Sequence, residues 1–198
     1  KAAVFALLVA FPGTWLLIPI GLYMIVYGII YALLEDDMRR ILAYSIVNQV
    51  GFMVVGVGIG TGMAVNGVAA HAFAHILYKA LLLMAAGAVL YRTGARRCSE
   101  LGGLARSMPL TALAALVGAA TIASLPFTSG FTAKALISSA ASKAHLTAVG
   151  YLLTVGTAGV ILSAGLKFPW LVFLDRDSGI RPAPAPAGMA AGMVLLAG

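Results

Sequence analysis

One cysteine in 198 residues, Cys98, leaves no disulfide framework and no thiolate metal or iron–sulfur site to propose, since such sites need several sulfur ligands. Acidic residues are nearly as scarce. There are six, against thirteen Lys and Arg, and only 10% of the chain is charged, whereas a soluble domain carries about 25%. With 62% hydrophobic residues and a mean hydropathy of +1.02, a water-soluble domain is excluded. The sequence begins and stops inside apolar stretches, at Lys1 and Gly198, and reads as an internal segment of a longer polytopic membrane protein.

What the chain does have is long apolar runs. A helix rising 1.5 Å per residue needs about 20 apolar residues to cross a hydrocarbon core of about 30 Å. On that criterion the expected spans are 1–10 (the tail of a helix), 15–34, 41–60, 64–91, 109–142, 147–173 and the beginning of another at 187–198. They form a single transmembrane domain, an all-α helix bundle. Pro182, Pro184 and Pro186 alternate with alanine in the last connection and favour an extended linker.

Charge distribution tests this layout. Arg39, Arg40, Arg92, Arg96, Arg97, Arg106, Arg176 and Arg181 fall in alternate connections on one side, and the other side carries only Lys143. The arginine side is therefore expected to be cytoplasmic. All six acidic residues share those same connections. The net charge of +7 thus reflects topology together with Lys1, Lys79, Lys134 and Lys167, which lie within or at the edge of apolar segments. It offers no support for a nucleic-acid partner.

Basic groups in hydrocarbon are costly, about 3 kcal/mol for a lysine near the bilayer centre on insertion scales, and usually face a bundle interior or a wet path. His71, His75 and Lys79 are four residues apart, so they share an arc of about 80° over about 12 Å of helix. Three titratable nitrogens on one face point to proton movement. The plainer reading is that the histidines bond backbone carbonyls and hold helices together. A zinc site would need a third ligand that the intramembrane residues do not supply.

Lys134 follows Ser124-Leu125-Pro126-Phe127-Thr128-Ser129-Gly130-Phe131-Thr132-Ala133. The segment 109–142 would span about 50 Å as one helix, too long for an untilted crossing, so it is expected to break. Pro126 removes a backbone donor, Gly130 tolerates unusual dihedrals, and Ser124, Thr128 and Ser129 can satisfy the freed backbone groups. Interrupted helices at membrane depth line protein or water, and ion sites sit at such breaks. The alternative is a proline kink with Lys134 reaching to the interface. Lys167 lies near Asp175 and suits interfacial anchoring, with a place on a secondary path as the other option. Tyr44, Ser45 and Asn48, with Gln49, either extend a hydrogen-bonded path or bind helices together. Gly51, Gly56, Gly58, Gly60 and Gly62 read as a close-packing surface, since neither a strand nor a Walker lysine accompanies them.

The runs Asp36-Asp37-Met38-Arg39-Arg40-Ile41-Leu42-Ala43-Tyr44-Ser45, Asn48-Gln49-Val50-Gly51-Phe52-Met53, His71 to Leu82 and Leu125 to Lys134 resemble the antiporter-like subunits shared by Mrp-type cation/proton antiporters and respiratory complex I. Within that family, the runs Arg39 to Met53 and Leu125 to Lys134 look most like the D-type Mrp subunit. The resemblance implies a bundle of about fourteen helices with two inverted five-helix repeats, of which this chain would hold the second, from the eighth helix to the fourteenth. It implies that Lys134 is the terminal proton-exchange group on the broken helix, that Lys79, His75 and His71 belong to a central hydrophilic axis, and that Lys1 links the two half-channels. It further implies other membrane subunits as partners, protons and Na+ or K+ as transported ions, no cofactor, and a bacterial inner membrane. A proton-pumping subunit of a complex I-like oxidoreductase or hydrogenase, and a non-transporting scaffold, remain the alternatives.

Overall fold

The computed structural model describes residues 2–197. Its elements are helices α1 (Ala2–Ala10), α2 (Leu17–Leu34), α3 (Met38–Ile59), α4 (Gly62–Thr93), α5 (Pro109–Ile122), α6 (Ser129–Lys143), α7 (Thr147–Val160) and α8 (Ala187–Ala197). Past Val160, α7 runs on through π-helical turns at Ile161–Lys167 and Trp170–Leu174. Among the described residues there is no strand, only an isolated bridge between Asp37 and Arg97. Four helical stretches are long and apolar enough to cross a membrane: Leu17–Leu34, Met38–Ile59, Gly62–Thr93 and Thr147–Leu174.

Two helices begin earlier than hydropathy alone suggests, because capping rather than apolarity sets where a helix starts. The Asp37 carboxylate accepts from the backbone N–H groups of Arg39 (2.8 Å) and Arg40 (3.2 Å), which draws these arginines into the first turn of α3. Thr61, expected to lie in a loop with Gly62 and Met63, is the N-cap of α4 and accepts from Ala64 N–H at 3.3 Å. Gly60 and Gly94 close α3 and α4 with left-handed φ of 69° and 72°.

The bundle is built around α3 and α4, the most enclosed of the spans. Helices α2 and α3 meet at glycine on glycine. A Cβ on Gly21 would lie 2.7 Å from the Gly51 carbonyl oxygen, and one on Gly51 equally close to that of Gly21. Only hydrogen at both positions permits this approach. On the far side, α4 packs on α5 and α6. Outward faces carry Trp15, Tyr23, Phe73, Tyr91 and Leu195, as a lipid-facing surface should.

The connections 35–37, 94–108 and 175–186 are joined at one end of the bundle. Ser99 donates its hydroxyl to Asp36 (2.6 Å), Ala105 N–H donates to the Phe173 carbonyl (3.1 Å), Ser178 to that of Gly102 (3.1 Å), and Arg92 to that of Pro184 (2.8 Å). The arginine-rich connections therefore share one end, as the loop count requires. At the other end Gly13 N–H donates to the Val57 carbonyl at 2.9 Å.

The segment expected to break does break. Helices α5 and α6, with 14 and 15 residues, are each about 21 to 23 Å long and each too short to cross alone. Between them, Ser124 (φ 59°) and Phe127 (φ 70°) adopt the left-handed region. This corrects the expectation for Gly130, whose φ is not left-handed. Glycine is needed there because a Cβ would run into the Thr121 carbonyl oxygen, so the residue lets α6 start against the end of α5. Of the three hydroxyls expected to satisfy the break, Thr128 does so, donating to the Leu125 carbonyl at 2.7 Å. Ser124 Oγ is buried with no hydrogen-bond partner among the described residues, and Ser129 is exposed at the start of α6.

Candidate proton-transfer site

Lys79 projects from the middle of α4 into the α3 interface and is buried. Its Nζ donates to Ser45 Oγ and to the Leu42 carbonyl at 3.2 Å, and Ser45 in turn donates to that same carbonyl at 2.9 Å. A helix carbonyl and a serine one turn on, both from α3, thus hold the ammonium.

A second set of polar groups branches off one residue earlier. Tyr78 donates its hydroxyl to Gln49 Oε1 (3.1 Å), Gln49 donates to Asn48 Oδ1 (2.6 Å), and Asn48 donates to the Ile25 carbonyl of α2 (3.3 Å). Tyr78, Asn48 and Gln49 are buried with these bonds made, as polar groups in an apolar interior must be. This chain ties α2, α3 and α4 together at the depth of Lys79.

From Tyr78 the row continues along α4. The His75 ring meets Tyr78 edge-on with centroids 5.1 Å apart, and His71 lies 6.0 Å from His75. Phe52 of α3 lies beside both His71, with ring centroids 6.3 Å apart, and Lys134 of α6, whose Nζ stands 5.3 Å from the centre of the Phe52 ring. His71 and His75 are 0% and 1% exposed, Lys134 4%. Lys134 also donates to the Ile122 carbonyl at 2.9 Å, at the end of α5. His75, His71 and Lys134 are thus gathered with Tyr78 and Phe52 in the interior where α3, α4 and α6 meet, one turn of α4 from Lys79 and its Ser45 partner.

Of the residues singled out from sequence, His71, His75, Lys79, Ser45 and Lys134 are brought into this row, with Asn48 beside it. Tyr44 is not. Its ring stacks on Tyr31 (5.3 Å) and lies 6.2 Å from Tyr27, on the α2 side of α3, away from Lys79. Lys167 is not in the row either: its Nζ donates to the Leu33 (2.9 Å) and Glu35 (2.5 Å) carbonyls and closes the C-terminus of α2. Lys1 lies outside the described residues. Tyr78 and Phe52 are members that the polar pattern of the sequence does not single out. Phe52 stands seven residues from Ser45, two turns along one face of α3, and Tyr78 three from His75 on α4, so the helical period is the signal that gathers both.

The transmembrane family described as NADH:quinone oxidoreductase/Mrp antiporter matches residues 2–161. The chain belongs to this family. The A/B component of a probable K+/H+ antiporter of Rhizobium meliloti is 32% identical over 195 residues, covering 92% of this chain and 19% of the relative. The D component of a Na+/H+ antiporter of Alkalihalophilus pseudofirmus is 37% identical over 147 residues, covering 74% of this chain and 30% of the relative. Among solved structures, a chain of the membrane-bound sulfane sulfur reductase, an archaeal respiratory membrane complex, superposes with a TM-score of 0.87 at 32% identity, over 93% of this chain and 31% of that one. A chain of the Mrp complex from Dietzia sp. DQ12-45-1b does so with 0.85 at 25% identity, over 93% and 42%. The chain spans about a fifth to a third of the length of the curated relatives it matches. Family and apolar helices together make it an integral membrane protein whose relatives are subunits of larger membrane complexes.

Proposed function

We propose that this chain carries protons across the bundle along Lys79, His75, His71 and Lys134, as part of a multisubunit monovalent cation/proton antiporter. The observation that supports the reading is the buried row itself. Two amines and two imidazoles are kept out of lipid in one interior region that reaches an interrupted helix, where backbone irregularity at membrane depth ordinarily lines a path. Each amine acts as a switchable site, and like-charge repulsion between successive sites couples one transfer to the next. Lys1 would extend the row toward the upstream half, and Na+ or K+ would be the counter-transported ion. The arginine-rich end faces the cytoplasm of a bacterial inner membrane in this reading.

The test is Lys134→Ala in the full-length protein within its assembled complex. Cation-driven proton movement into vesicles is lost while assembly is unchanged; antiport retained in the variant overturns the assignment.

The likeness to the sulfane sulfur reductase chain supports a second reading, in which the same row serves a redox-driven pump. Purifying the native complex separates the two, because the pump co-purifies with flavin or iron–sulfur subunits and the antiporter does not.

A further inference from the structure

At the arginine-bearing end of the bundle an open groove of about 450 Å³ faces outward. Three helices line it: Arg39 from the first turn of α3, Leu83, Gly87, Leu90 and Tyr91 from α4, and Met189 from α8. The stretch from Leu83 to Tyr91 covers about 12 Å of helix axis, most of one leaflet's share of a hydrocarbon core about 30 Å thick. Leu83 and Tyr91 are exposed, and a Cβ on Gly87 would meet no described atom within 4 Å, so the groove is open where the glycine stands.

The body of the groove is apolar, but its mouth is cationic. Arg39 lines it, and the Arg92 guanidinium carbon stands 5.5 Å from the centre of the Tyr91 ring. Arg92 is held by its Nε, which donates to the Pro184 carbonyl at 2.8 Å and leaves the two terminal nitrogens for another acceptor. Acidic residues at this end are engaged elsewhere: Glu35 pairs with Arg40, Asp36 accepts from Ser99, and Asp37 caps α3. Among the described residues neither Arg39 nor Arg92 has a carboxylate partner.

Two uncompensated guanidinium groups at the head of an apolar trough suit an anion that carries its own hydrocarbon. The planar fork of arginine donors matches phosphate oxygens, and basic pockets between membrane helices take anionic headgroups. Phosphate is also the anion that a bilayer itself supplies at this depth, which favours lipid over a neighbouring subunit's helix. We propose that this groove binds an anionic phospholipid of the leaflet at the arginine-bearing end. Its phosphate bonds Arg39 and Arg92, and one acyl chain lies along Leu83, Gly87 and Leu90 against Met189. The lipid bridges α3, α4 and α8. This site is independent of the proton path and stands whether or not Lys134 exchanges protons.

The test uses the full-length protein in its assembled complex, reconstituted in phosphatidylcholine vesicles that contain a little phosphatidylglycerol with a photoreactive diazirine in its acyl chain. Mass spectrometry locates the labelled peptides. Labelling of the stretch from Leu83 to Tyr91 is expected, suppressed by excess unlabelled phosphatidylglycerol and not by added phosphatidylcholine. Arg39→Gln and Arg92→Gln each lower it about fivefold, as an attraction of about 1 kcal/mol per basic group near an anionic lipid implies. Gly87→Leu, which fills the groove, lowers it severalfold with both arginines in place. Should Arg92→Gln fail to assemble for want of the Pro184 contact, Arg39→Gln, at an exposed side chain, carries the test. Equal labelling by a phosphatidylcholine probe with the same diazirine overturns the proposal, because the groove then holds any lipid. A groove that neither probe labels, as a neighbouring subunit's helix in the trough would produce, overturns it as well.

Discussion

Lys134 bonds the one carbonyl that Pro126 orphans. In an uninterrupted helix the oxygen of Ile122 would accept from the N–H of residue 126, and proline has none. Lys134 Nζ fills that vacancy at 2.9 Å from the neighbouring helix segment. The break and the buried amine are thus one device. Restoring the donor with Pro126→Ala sets a backbone N–H in competition with the ammonium and lets α5 extend. Proton transport in vesicles is expected to fall severalfold with the complex still assembled; native rates would show that Lys134 does not depend on this acceptor.

Ser45 tests whether the ligands of Lys79 matter to transfer. Ser45→Ala removes one acceptor and leaves the Leu42 carbonyl, so transport is expected to drop less than in Lys79→Ala, which deletes the site. The ranking is read from initial rates of proton movement at equal complex content, and the order reversed would contradict the geometry.

Lys167 separates capping from conduction. Its two bonds to the Leu33 and Glu35 carbonyls close α2, and Lys167→Met leaves both without their charged donor, at a cost of about 1–3 kcal/mol. The detergent-solubilised complex is expected to unfold at lower temperature while transport per assembled complex stays native. Lost transport at normal stability would put Lys167 on the path.

Cys98 is fully buried where the connections meet, and its backbone N–H donates to the Asp36 carbonyl at 2.8 Å. Burial, reinforced by the nearby Asp36 charge, pushes the thiol up to about 12. At pH 8 only about one molecule in ten thousand is then thiolate, against roughly a quarter for an ordinary cysteine. Maleimide labelling of native membranes should stay slow up to pH 9 and become fast on denaturation. Rapid labelling of the folded complex would mean that the connections open in solution.

Much of this architecture is legible in the sequence because the bilayer enforces a few simple rules. Apolar length marks the spans, and the alternation of arginine-rich connections sorts them to two ends. The four-residue spacing of His71, His75 and Lys79 places one face of α4 in the interior. Excess length locates the break at Pro126, but not its backbone path. Left-handed φ at Ser124 and Phe127 arises from how α5 and α6 must approach, a tertiary constraint that local preference does not record. For the same reason Gly130, which reads as a conformational residue, serves instead for clearance. Tyr44 and Ser45 are adjacent in sequence and 100° apart on a helix, so one turns to the tyrosines of α2 and the other to Lys79. Only the neighbours of α3 decide which is which. Phe52 is silent in the sequence because an apolar residue in an apolar helix carries no signal until its polar neighbours are known.

The stitching of Asp36 to Ser99, Gly102 to Ser178 and Arg92 to Pro184 makes the arginine-bearing connections a common baseplate. Helices rooted in one plate tilt together at that end, so their independent swing grows with distance from it. If the proposed transport involves a conformational change, that footing directs it to a point partway up the bundle, where the six-residue gap between α5 and α6 interrupts the helix.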